Sequence, residues 1–145
     1  MKKILLTIVA TTVIFCLLTM PLMAVTVEGT GYLLARGNGR AALQGSLRAN
    51  IHGDGTLSVK DNAGDAEIDV HGKGRKKVLE DGTIVYTGLN GHIKVSGTDV
   101  TVKMDGRNIK IEAHGTGKAV LQGRGEYRTK KSSGRWTLSG TDVEF

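Results

Sequence analysis

The side chains best able to do chemistry in this 145-residue sequence are four histidines, two recurrent aspartates and two basic clusters. His71 and His114 close matching strings, Asp69-Val70-His71 and Glu112-Ala113-His114. An acid and an imidazole two residues apart on a strand share a face, an arrangement from which a Zn²⁺ or Ca²⁺ site can be built. Ile68 and Val70 claim the buried face, however, so these pairs are expected to point to solvent. The corresponding N-terminal residues, Thr26 and Glu28, break the pattern. Asp69, His71, Glu112 and His114 are thus weak metal candidates, and neither a metal nor another cofactor is expected. His52 and His92 have no counterpart and are placed near loops.

Asp99 and Asp142 recur in the string Ser-Gly-Thr-Asp-Val. Asp after Gly-Thr at a strand junction caps a turn through its own backbone more often than it performs acid catalysis. The Gly-x-Gly strings do not precede a helix, so they fail the context a phosphate cradle needs. Hydroxyls are many, but none sits in a nucleophile motif. No catalytic residue is assigned, and the protein is not expected to be an enzyme.

The basic clusters are Lys73, Arg75, Lys76, Lys77 and Arg124, Arg128, Lys130, Lys131, Arg135. They are the candidates for docking an anionic envelope polymer and, falling in neighbouring copies, could form one stripe. The favoured reading is a solvated face whose lysines guard sheet edges. Nucleic acid is not expected as a partner, because aromatics do not interleave with the basic residues. Trp136 could stack on a sugar, but it occupies the repeat position of Ile93, which favours packing.

The elements that must position these groups are strands. Every second residue from Gly29 to Val59 is glycine or apolar, and those between are mostly polar. Period two over that length means strands with one buried face. Gly37-Asn38-Gly39 and Gly53-Asp54-Gly55 are read as three-residue hairpin loops, which preserve the phase of alternation. Gly45 is read as a bend or a close approach.

Gly29-x-Gly31, Gly72-x-Gly74 and Gly115-x-Gly117 recur every 43 residues. The same spacing relates Ile93–Val100 to Trp136–Val143. A period held at several points indicates repeats, here about 29–71, 72–114 and 115–145, each of four short strands. The third copy stops early, and Val25-Thr26-Val27-Glu28 supplies the strand it lacks. That strand pairs with the same molecule, closing a pseudo-threefold prism, trefoil or barrel, or with a neighbour, giving a strand-exchange polymer. A β-sandwich is the remaining alternative for this all-β, antiparallel chain.

Met1-Lys2-Lys3, an apolar run and Pro21-Leu22-Met23-Ala24 have the layout of a secretory signal, residues 1–24, with cleavage after Ala24. An uncleaved membrane anchor is the alternative. The single cysteine, Cys16, lies in that segment, so the domain 25–145 has no thiol chemistry. All 21 glycines follow Ala24.

Strings such as Leu43-Gln44-Gly45, Leu121-Gln122-Gly123 and Gly55-Thr56-Leu57-Ser58-Val59 resemble those of uncharacterised exported glycine-rich β-repeat proteins of archaea and bacteria, over Val25 to Phe145. The resemblance implies export and a β fold and carries no activity. The expected function is a non-catalytic, secreted or envelope structural and assembly module. The alternatives are a carbohydrate- or anionic-polymer-binding module and a lipid-transport groove.

Overall fold

The computed structural model describes residues 31–145. The expected leader and Val25–Glu28 lie outside them. The described residues form strands β1 (Gly31–Asp61), β2 (Glu67–Val78), β3 (Ile84–Thr129), β4 (Ser133–Arg135) and β5 (Thr141–Glu144), and no helix. The chain is all-β, and its sheet is antiparallel.

β1 and β2 run against β3 as one long hairpin. The pairs run from Val78↔Ile84 through His71↔His92, Ile51↔Ile111 and Leu43↔Ala119 to Leu33↔Thr129. The tip, Leu79 to Thr83, closes where the Leu79 N–H donates to the Thr83 carbonyl at 2.8 Å. Gly82 at φ 83° takes the left-handed position there.

A straight β1 would extend about 100 Å, several times the radius of gyration of a compact domain this size, about 13 Å. The hairpin is therefore rolled. Ile111 pairs with Ile51 on one side and with Ala35 on the other, sixteen residues earlier in β1. Two strand spacings, about 10 Å, separate those β1 residues, so the chain completes a turn every sixteen residues.

Each half-turn has a glycine corner. In β1 these are Gly37, Gly45 and Gly53, eight residues apart. Corner glycines face one another across strands: Gly39 pairs with both Gly106 and Gly123. A side chain on Gly39, at φ 135°, would strike the Gln122 carbonyl and come within 2.9 Å of the Gly123 Cα. Only a row of residues without Cβ atoms lets the whole sheet fold over along one line.

The fold-over makes two layers. The first contains Tyr127, Ala35, Ile111, Ile51, Ile93 and Val70 in strand order. The second contains Val143, Ala119, Leu43, Val102, Val59 and Ile84. Their inward side chains form one core in which Leu33, Leu43, Ile51, Leu57, Ile93 and Leu121 are almost wholly buried. The architecture is a sandwich-like roll, and the sheet does not close: β2 is one edge, with β4 and β5 at the other.

Gly37-Asn38-Gly39 and Gly53-Asp54-Gly55 are thus corners inside a continuous strand and not hairpin loops. The alternation kept its phase because the chain never reverses there. Gly45 is the close approach expected of it: a Cβ would collide with the Thr116 carbonyl.

β3 shifts phase twice. Its buried residues run Ile93, Val95, then Val100, Val102, Met104, then Ile109, Ile111. The first slip, at Gly97–Asp99, opposes the loop 62–66. There Asp65 accepts from Thr98 Oγ1 at 2.6 Å and from the Thr98 N–H at 3.1 Å. The second is Asn108 at φ 53°, whose N–H donates to Asn38 Oδ1 at 2.9 Å. Asn tolerates this conformation better than most residues.

Candidate polymer-binding trough

Residues with even numbers in β1 point outward, and the roll aligns them into rows across the strands. One row on the first layer reads Arg135, Glu126, Arg36, Lys110, His52, His92, His71, each a register partner of the next. Every member is exposed or half-buried. Neighbours are one strand spacing apart, about 4.8 Å.

The outer face here is concave. A cavity of about 1030 Å³ is lined by Arg36, Lys94, Lys110, Tyr127, Arg128 and Arg135, among others. A second, of about 690 Å³, adjoins it through Arg36, Lys110, Glu126 and Arg135 and adds Arg124. Together they make one trough. Six cations line it, Arg36, Lys94, Lys110, Arg124, Arg128 and Arg135, against two carboxylates, Glu112 and Glu126.

Glu126 is occupied by Arg36, whose Nη2 lies 2.6 Å away; their side chains are 60% and 72% exposed, so the pair adds little to stability. Lys94, Lys110, Arg124, Arg128 and Arg135 make no ion pair among the described residues. Tyr127 packs against the core and, being half-buried, also lines the trough; a Cβ on Gly134 would lie 2.9 Å from its ring.

Histidines continue the row: His52 and His92 line the first cavity themselves, and His71 follows them on β2. The rings of His52 and His92 stack at 4.9 Å between centroids, and those of His92 and His71 at 4.8 Å. Partial loss of water, reinforced by the positive fields of His52, His71 and Lys94, holds His92 below the ordinary imidazole value; Asp69 opposes this. His52 and His92 lie inside β1 and β3 and not near loops as expected.

The acid–histidine pairs face outward, with His71 Nε2 2.9 Å from Asp69 Oδ2 and His114 Nε2 3.2 Å from Glu112 Oε1. Among the described residues no three His, Cys, Asp or Glu side chains converge as a metal site needs.

The basic clusters do not lie side by side. Arg124, Arg128 and Arg135 line the trough at one edge, with Lys130 and Lys131 exposed on the turn beyond. Lys73, Arg75, Lys76 and Lys77 are exposed on β2, the opposite edge. The clusters form two patches and not one stripe, with the row of Arg36, Lys110 and the histidines between them.

Trp136 is not a sugar platform. It is 4% exposed within the core, and its Nε1–H donates to the Glu126 carbonyl at 3.2 Å. Its repeat equivalence to Ile93, also buried, had pointed to this. Asp99 does not cap its own turn but accepts from Asn62 Nδ2 at 3.3 Å, joining the loop 62–66 to β3. Asp142 is exposed on β5.

Arg36, Lys94 and Lys110 were not singled out from the sequence. They are isolated there, and only the rolled register brings them to the trough. No family model, curated protein or solved structure matches the chain.

Proposed function

We propose that this protein is an exported, non-catalytic module that binds an anionic polysaccharide in the trough of the first layer. Six cations against two carboxylates around one concave face carry this reading. Clefts lined by one sign of charge concentrate ligands of the other. Half-buried Tyr127 adds an apolar surface against which a sugar ring can rest. The structural and assembly role depends on Val25–Glu28, outside the described residues, so the trough supports the binding role better. Export rests on the signal-like residues 1–24.

The test is retention of the purified protein on immobilised dextran sulfate and on neutral dextran at pH 7.5. The reading expects retention on the sulfated polymer alone, with release by salt, since screening shortens the reach of exposed charges. Passage through both columns at low salt would refute it.

A further inference from the structure

The three stacked histidines lie where the two basic patches fail to meet. His52 is the register partner of Lys110 in the trough, and His71 stands two residues from Lys73 on β2. The row is therefore cationic at its trough end and finishes in imidazoles, with Lys73 two residues further along β2. Its members repeat at the strand spacing, about 4.8 Å, across the direction of the strands.

We propose that His52 and His92, which line the trough, and His71 beyond them form its acid-strengthened end, completing a track on which a linear anionic polysaccharide lies across the strands and is held more tightly as the pH falls. This rests on the trough being the polysaccharide site. The ligand class is a chain bearing negative groups at intervals commensurate with the strand spacing.

Imidazole is the side chain that changes charge between pH 5 and 8. Here three such groups share one line, so their protonation adds up to three positive charges along a single path. The charged groups around them are Lys110 and Glu112 on the adjoining segment of β3, Lys94 beside His92 on β3, Asp54 on β1, and Asp69 and Lys73 on β2. Asp69 holds His71 from one side only, at 2.9 Å. His92, central in the stack, resists charging because of its neighbours and its partial burial. An anion laid over the row offsets the repulsion from the neighbouring cations, so binding draws protons on to it. A purely structural stack, buried or tied by hydrogen bonds at both ring nitrogens, would lack this response; these rings are exposed or half-buried.

The experiment titrates the purified full-length protein with dextran sulfate, whose sulfates stay ionised, at pH 7.5 and 5.5 and constant ionic strength. Linkage predicts an affinity gain of about tenfold per pH unit for each proton taken up within the window between the free and bound pKa values. The triple variant H52Q/H71Q/H92Q is expected to lose the strengthening between pH 7.5 and 5.5, whatever its affinity at pH 7.5. His114, on another row, remains in it as an internal control. Calorimetry of the wild type at pH 6 in two buffers of different ionisation enthalpy provides a second readout, expected to show proton uptake and requiring no variant.

Binding at pH 7.5 that does not strengthen on acidification, or an acid response that survives the triple substitution, overturns the histidine proposal and leaves the trough reading standing. No binding at either pH overturns both.

Discussion

The two outer faces of the roll are built from the same strands yet differ in chemistry. Across the first layer a row reads Arg135, Glu126, Arg36, Lys110, His52, His92, His71. Across the second, the corresponding row reads Asp142, Val120, Ala42, Lys103, Ser58, Val85, Lys77. The second mixes two cations, one acid and small or apolar residues. The first concentrates permanent cations and imidazoles, and the trough lies on it. Both faces belong to one core and one set of corners, so packing does not impose the bias of the first. A biased outer face on an evenly packed body is where a binding function is to be sought.

The largest effect should come from what the faces share. Gly39→Val places a branched side chain at φ 135° against the Gln122 carbonyl and the Gly123 backbone. Backbone strain and overpacking together should cost about 3 kcal/mol or more. Urea unfolding followed by tryptophan fluorescence and by far-ultraviolet circular dichroism should show a single transition moved to lower denaturant. Two separated transitions would mean that the layers fold as independent units and that the faces are not comparable surfaces of one body.

A smaller effect, on binding alone, should separate the faces. Lys110→Glu with Arg124→Glu alters the trough, and Lys103→Glu with Lys118→Glu alters the net charge equally on the second layer. The first pair should weaken dextran sulfate binding by about tenfold or more, corresponding to about 1.4 kcal/mol. The second pair should change it by less than about twofold, since distant exposed charges are screened. Equal losses from both pairs would show that total charge matters and the trough does not.

The sequence showed much of the body and little of this distinction. Alternation from Gly29 to Val59 identified the inward residues of β1, and Leu33, Leu43, Ile51 and Leu57 are buried as that pattern requires. It could not tell a corner from a hairpin, because both preserve the phase. The eight-residue spacing of Gly37, Gly45 and Gly53 was the overlooked signal: a rolled strand needs a bend at each half-turn. The binding row was illegible for another reason. Arg36, Lys110, His52, His92 and His71 are scattered over three strands, and a row across strands exists only once the register is known. Basic residues adjacent in sequence, such as Lys73 to Lys77, drew attention instead and lie on the β2 edge. The repeat equivalence of Trp136 to Ile93 did carry structural information, since both are buried.

The smallest expected effect lies where β3 slips phase opposite the loop 62–66. The loop 62–66 meets β3 through side chains, and Thr98 holds Asp65 below the ordinary carboxylate value, by its hydroxyl first and its N–H second. A carboxylate depressed on folding contributes stability that is present above its unfolded value, near 3.8, and is lost as the pH falls through its lower folded value. Thr98→Val removes the hydroxyl and keeps the N–H, so part of that contribution should vanish. The melting temperature of the variant should drop slightly at neutral pH and converge on the wild type toward pH 2. Binding of dextran sulfate at pH 7.5 should be unchanged, because Asp65 and Thr98 line neither cavity. A melting difference that persists unchanged at pH 2 would show that Thr98 acts by packing and not through the Asp65 charge. A loss of binding would extend the functional face around the corner, and the contrast between the layers would have to be redrawn.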